Sequence, residues 1–260
     1  MEYLIVGTLA GILTAFATVK VKALTVPAAL EAFVIILCAC LFGGWFGLSF
    51  LLAAYLTVAV VDHCLADRTK AITGSMNKKS GPRDFIQVAA NGLAATVCIV
   101  LYAFTSQRAF LVGFTVALTE ALADSIASDV GVLSHKDPVS ICRFRRIPKG
   151  LSGGVSLLGS AASAAATVLC AVLYFLFFRN LREAAIVVLM GNLGCVLDSV
   201  LGDLLQEKFS CPQCGCLTEK CRHCDSPTIH IAGIRHLDNC LVNLISNALC
   251  ATAAVLLLLW

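Results

Sequence analysis

The sequence predicts an all-α fold, a polytopic membrane helix bundle of about eight transmembrane helices, and three observations carry that prediction. Hydrophobic residues make up 59% of the 260 and charged residues 13%, where an ordinary soluble domain carries roughly 25% charge. The apolar residues gather into runs long enough to cross a bilayer. A short acidic pattern then recurs three times at the end of such a run: Asp62 with Asp67, Asp124 with Asp129, and Asp198 with Asp203. A basic loop follows each pair, so the bundle reads as helix–basic loop–helix repeats within a single integral membrane domain, 1–260.

The spans fall at 3–19, 27–44, 46–66, 85–104, 109–130, 151–178, 184–205 and 237–259. No cleavage site precedes the first run, so it is read as a span rather than a removed leader. Gly43-Gly44-Trp45 is a very tight turn between the second and third. Of the 19 lysines and arginines, only Arg108, Arg179 and Arg182 fall on one side. The positive-inside bias then places the other 16, with the three long basic loops, in the cytoplasm. Both termini face outward.

The returning helix of each unit carries two polar residues four positions apart: Gln87 and Asn91, Ser156 and Ser160, Asn243 and Asn247. A spacing of four puts both on one helix face, and that face turns to the bundle interior because lipid offers no partner. The three units run in the same direction, a parallel repeat.

Carboxylates in membrane segments are costly and by default functional. Five residues turn a helix by a net of about 140° and advance it by about 7.5 Å. Asp67, Asp129 and Asp203 are therefore rim positions, and Asp62, Asp124 and Asp198 lie deeper. Glu120 is one turn further in, on the face of Asp124. Such a group of carboxylates needs a cation, and Mg²⁺ suits carboxylate and phosphate oxygens. Interhelical ion pairs with the basic residues are the other use for it.

Arg143, Arg145, Arg146 and Lys149 run into Gly150-Leu151-Ser152-Gly153-Gly154-Val155-Ser156. A glycine-rich segment opening a helix offers free backbone N–H groups to phosphate, and arginines grip phosphate in bidentate fashion. Gly-Gly in a membrane also suits close helix packing. Lys78, Lys79 and Arg83 hold the equivalent place in the first unit, and Arg235 in the third. No recognition fold or aromatic platform accompanies these charges, which excludes nucleic acid.

Cys211, Cys214, Cys221 and Cys224 form a CxxC…CxxC pattern in the loop 207–236. Four thiolates at this spacing suit a closed, structural Zn²⁺ site. Cys216, His223 and His230 are spare donors, and a redox dithiol is the alternative.

The stretches 122–131, 149–159, 194–202 and 242–246, with Asp84, Gln87 and Asn91 upstream, resemble the transmembrane-protein-19-like membrane family, which includes plant phytyl-phosphate kinase. The resemblance covers roughly residues 60–250. It implies a membrane-embedded enzyme that passes a phosphoryl group from a nucleoside triphosphate, CTP or ATP, to a prenyl monophosphate. By position it carries over Arg83, Gln87, Asn91, Asp124, Ser128, Asp129, Gly150, Ser152, Gly153, Gly154, Ser156, Asp198, Ser199, Asn239 and Asn243. In that frame Asp124, Asp129, Asp198, Asp203 and Glu120 form the catalytic acidic set, with Mg²⁺ on Asp124 and Asp198. Arg143, Arg145, Arg146, Lys149, Ser152, Gly153, Gly154 and Ser156 bind the nucleotide phosphates. Lys78, Arg83, Gln87, Asn91, Arg235, Asn239, Asn243 and Asn247 receive the lipid acceptor. A cytidylyltransferase making a CDP-lipid uses the same parts, and a transporter or flippase of a phosphorylated lipid is the non-enzymatic alternative.

Overall fold

Backbone placed in hydrocarbon must satisfy its own N–H and C=O groups, and helices do this within one segment. The computed structural model describes residues 1–73 and 81–260. Among these, seven helices are long and apolar enough to cross a membrane: α1 (Glu2–Lys20), α2 (Val26–Thr73), α3 (Phe85–Thr105), α4 (Arg108–Gly131), α5 (Leu157–Phe178), α6 (Leu181–Leu204) and α7 (Asn239–Leu259).

α2 is two helices in one. Gly44 leaves the helical region, with φ 59° and ψ −147°, as only glycine does readily. Gly47 then lies so close to the Ala39 carbonyl that any Cβ would collide with it. In a straight helix, residues eight apart are separated by about 12 Å along the axis. The arms 26–43 and 45–73 therefore double back, and the expected eight spanning segments are present.

α4 is the hub, packing on α2, α3, α5, α6 and α7. Residues 111–120 are all buried, as expected of a helix enclosed on every side. At the ends joined by short turns, Glu183 accepts from Arg108 Nε at 2.8 Å and from the buried Tyr174 hydroxyl at 2.5 Å. Arg108 also lies 4.5 Å over the Phe178 ring, and Phe46 packs against Tyr174 and Phe178.

The long connections gather at the opposite end. The α1–α2 turn is tied to the start of α3 by Arg83 N to Ala23 O (2.8 Å) and Thr25 N to Arg83 O (3.0 Å). The α4–α5 connection folds into a ribbon of β1 (Val139–Ser140) and β2 (Gly154–Val155), with Ser140 opposite Gly154. The α6–α7 connection builds a three-stranded antiparallel sheet of β3 (Lys208–Ser210), β4 (Leu217–Thr218) and β7 (Ile229–Ala232), in the order β4-β3-β7. A small hairpin of β5 (Arg222–His223) and β6 (Ser226–Pro227) lies between.

One expectation about the helices changes. The sixth expected span, α5 of the structure, was expected from residue 151, yet 151–156 is turn and strand. Gly150 and Gly153 have φ of 89° and 83°, outside any right-handed helix. Ser156 caps the helix instead, its Oγ accepting from Gly159 N at 3.1 Å, and helical structure begins at Leu157.

Candidate functional site

Two cavities open among the helices near the long loops. The larger, about 250 Å³, is polar. Asp124 and Ser128 reach it from α4, and Asn192, Asp198 and Ser199 from α6. The facing wall is the segment Gly150–Ser156 with Ser160 and Ser163 of α5, closed by Asn239 and Glu219. The helix starts of α5 and α7 thus bring the positive ends of their dipoles to the same space as two carboxylates. Side chains far apart in sequence meet here: Asp124 of α4, Ser156 before α5, Asp198 of α6 and Asn239 of α7 line one space.

Behind this wall runs a hydrogen-bonded chain. Glu120 is 1% exposed and accepts from Ser246 Oγ at 2.9 Å and from Asn247 Nδ2 at 2.8 Å. Ser246 Oγ also lies 3.4 Å from Asp198 Oδ2. In the orientation that satisfies its neighbours, the Asn243 amide donates to Asp198 Oδ2 (3.1 Å) and to the Asn239 carbonyl (2.7 Å). The side-chain amide of Asn91 stands 3.2 Å from that of Asn243. Gly194 is glycine because Glu120 packs directly on it. The network holds the Asp198 carboxylate from the side of α7, and Asp198 also lines the cavity.

The second cavity, about 150 Å³, is mainly apolar. Residues from α1, both arms of α2, α3 and α4 line it, and its polar members are Thr14, Tyr55, Arg83, Gln87, Asn91 and Ser125. Arg83 is held by Asp62 at 2.8 Å. Asn91 belongs to this groove and Asn239 to the polar cavity, and Asn243 touches both.

Several expected site residues stand elsewhere. Asp203 is turned away from the cavity. Its carboxylate accepts from the buried Ser140 hydroxyl and from Cys142 N (3.1 Å), and Lys208 Nζ is 3.6 Å away. Asp203 therefore fastens the ribbon to α6, and it is not among the residues that line the polar cavity. Burial pushes the Lys208 ammonium below its ordinary range, against the pull of Asp203. Glu120 supports the wall without reaching the cavity, and Asn247 acts with it. Asp129 lines neither space. Arg143, Arg145, Arg146 and Arg235 are exposed on the loops, and Lys149 donates to the Ser134 carbonyl at 2.5 Å. Lys78 lies outside the described residues.

Sequence reasoning missed Glu219, whose Oε1 accepts from Ser152 N at 2.7 Å. No signal in the loop marks it, since 67 residues separate the pair. It also missed Asn192, which donates to Thr167 Oγ1 at 2.6 Å; an asparagine within an apolar span was the available signal.

The cysteine cluster differs from expectation in one ligand. Cys211, Cys214, Cys224 and His223 place their donor atoms within 4.8 Å of one another. Cys221 stands outside this group, and His223, one of the spare donors, lies within it. Backbone N–H groups of Cys214 and Cys216 hold the Cys211 and Cys214 thiols below the usual range. The Cys224 thiol, against Cys214, is pushed up to about 11.

Comparison with known proteins bears on the whole arrangement. An uncharacterized membrane protein of Synechocystis is 29% identical over 170 residues, covering 64% of this chain and 66% of that protein. Protein PGR of Arabidopsis thaliana is 25% identical over 94% of this chain and 92% of its own length. The chloroplastic protein VTE6 of the same plant is 24% identical over 80% of this chain and 57% of its own. The chain spans 66% and 52% of the Synechocystis protein and of a Methanocaldococcus jannaschii membrane protein. No solved structure matches. The sequence pattern of the integral membrane proteins DUF92 matches residues 9–251. This is the family that the motifs resemble, and the chain belongs to it.

Proposed function

We propose that the protein is a membrane-embedded phosphotransferase that passes a phosphoryl group from a nucleoside triphosphate to a prenyl monophosphate, on the cytoplasmic side. One observation carries this reading. A polar cavity pairs the Asp124 and Asp198 carboxylates with a glycine-rich backbone, and an apolar groove adjoins it across the Asn91–Asn243 contact.

The donor set fits Mg²⁺, since carboxylate oxygens facing a phosphate-sized polar space are what this hard cation takes. When bound, Mg²⁺ neutralises charge on the phosphate oxygens. The protein's own residues position the reactants. Ser152, Gly153, Gly154 and Ser156 face the triphosphate. The prenyl tail lies in the groove of α1–α4, and Arg83, Gln87 and Asn91 at its polar end receive the monophosphate. An oxygen of that phosphate attacks the terminal phosphorus of the donor, and the bond to the bridging oxygen breaks, releasing the nucleoside diphosphate. The attacking phosphate oxygen is already ionised near neutral pH, so no general base is required. In the same reading the cysteine-rich loop takes a structural Zn²⁺.

Calorimetric titration of the detergent-purified protein with CTP and ATP, with and without Mg²⁺, tests this beside an Asp124→Asn/Asp198→Asn variant. Magnesium-dependent binding that the variant loses is the expected result, followed by a prenyl diphosphate on addition of the monophosphate. A CDP-lipid product would replace the kinase by the nucleotidyl transferase. No nucleotide binding by folded protein would sink both in favour of a lipid transporter.

A further inference from the structure

We infer that Zn²⁺ is held by the thiolates of Cys211, Cys214 and Cys224 and by Nδ1 of His223, and that this ion positions Glu219 in the polar cavity. The inference deepens the zinc part of the reading above and does not depend on which reaction the cavity carries out.

The four donor atoms lie within 4.8 Å of one another, and two of their separations match a zinc site. His223 Nδ1 lies 3.4 Å from Cys214 Sγ and 3.2 Å from Cys224 Sγ. Around zinc, ligand atoms stand about 3.5 Å apart for a sulfur–nitrogen pair and about 3.8 Å for two sulfurs. The backbone supports the same placement. Gly215 N donates to Cys211 O at 2.9 Å and Cys211 N to Cys216 O at 3.0 Å, closing a tight knuckle. Cys224 and Asp225 both take positive φ, 49° and 57°, a costly pair of conformations for residues with side chains. The donor atoms of His223 and Cys224 both join the group at this turn, and Cys221 lies outside it.

The knuckle sits at the tip of the β3–β4 hairpin. Cys211 follows β3 directly and Cys216 precedes β4. Phe209 pairs with Thr218 and Ser210 with Leu217. Glu219 is the next residue, 8% exposed, and its carboxylate caps Ser152 N at 2.7 Å. Hairpin register therefore decides whether that carboxylate reaches the glycine-rich wall, and a metal across the hairpin end fixes the register. Glu219 is a positioning residue: it holds the Ser152 backbone through its N–H.

The test uses the full chain in detergent. Zinc per chain is measured by mass spectrometry of the metal, and exchange of the Ser152 amide by hydrogen–deuterium exchange. Wild type and Cys221→Ser should each carry one zinc, and Cys224→Ser and His223→Gln should lose it. Removing zinc from the wild type with a mercurial should speed Ser152 exchange roughly tenfold, the loss of one charge-assisted hydrogen bond. Glu219→Gln should speed it comparably with zinc retained. If the two ligand variants fail to fold, zinc released by the mercurial from wild type alone still tests the site. Zinc absent from folded wild type, or lost equally in Cys221→Ser, overturns the ligand set. Unchanged Ser152 exchange after zinc removal overturns the link to the cavity. Neither readout involves nucleotide or lipid, so either failure is separate from failure of the phosphotransferase reading.

Discussion

Replacing Gly153 by alanine tests the placement of the glycine-rich wall against α6. Gly153 has φ 83°, and an added Cβ would lie 2.5 Å from both Cα and Cβ of Asp203 and 2.6 Å from its nitrogen. The left-handed conformation costs alanine about 1–2 kcal/mol. The collision is with helix backbone and cannot be relieved by a rotamer change, so the ribbon or α6 must shift, at roughly 1–3 kcal/mol. Together these predict a loss of about 2–5 kcal/mol and a fall in melting temperature of roughly 5–15 °C. Cys98, Cys170 and Cys250 are buried free thiols, so a thiol-reactive fluorophore reads unfolding as they become accessible. Gly215→Ala is the control, because its φ is also positive (70°) but nothing lies within 4 Å of the added Cβ. It should cost only the conformational part, about 1–2 kcal/mol. If Gly153→Ala melts within about one degree of Gly215→Ala, the close approach of the ribbon to Asp203 is wrong.

Other substitutions probe other layers. Asn247→Ala removes two hydrogen bonds donated by Asn247 Nδ2, to Glu120 Oε2 and the Ala117 carbonyl, both 2.8 Å. It leaves a buried carboxylate short of a donor and should lower stability by about 1–3 kcal/mol in the same melting assay. Glu183→Ala strands the Tyr174 hydroxyl, which is 0% exposed, and should cost about 1–3 kcal/mol, discounted for the exposed side of Arg108. Adding Tyr174→Phe should return part of that loss, and a double variant worse than the sum would contradict the pairing. In metal-free protein, alkylation followed by peptide mass mapping should modify Cys214 before Cys224 at about pH 7–8. The lowered Cys214 thiol is then more ionised than the Cys224 thiol, pushed up to about 11. The difference should shrink as pH rises toward that value and the second thiolate forms.

The helix bundle was legible because bilayer thickness imposes run length, and carboxylates in such runs stand out from their apolar neighbours. Asp124, Asp198, Gln87 and Asn91 stood out by spacing and Asn239 through the family resemblance, and all five line the two cavities. The loops were harder. Their exposed arginines satisfy the same charge bias whether or not they meet a ligand, so Arg143, Arg145 and Arg146 could not be told from solvated residues. Asp203 fits the acidic repeat by spacing, but Ser140 and Cys142 claim its carboxylate, and nothing local to position 203 reveals a partner some sixty residues away. The cysteine spacing pointed to the loop in which the donor atoms of Cys211, Cys214, Cys224 and His223 gather. Whether Cys221 or His223 turns inward depends on the positive φ at Cys224 and Asp225, a backbone choice that spacing does not encode.

The burial of Glu120 also bears on how the molecule is made. Its two side-chain donors, Ser246 and Asn247, follow it by 126 and 127 residues. At translation rates of about 5–20 residues per second, α4 waits roughly 6–25 s before α7 is synthesised. During that interval a carboxylate destined for the bundle centre lacks both of the side chains that will bind it. A nascent chain ending before α7 carries an unmet polar group in its central helix. Synthesis of α7 is therefore the step that gives the central carboxylate its two side-chain donors.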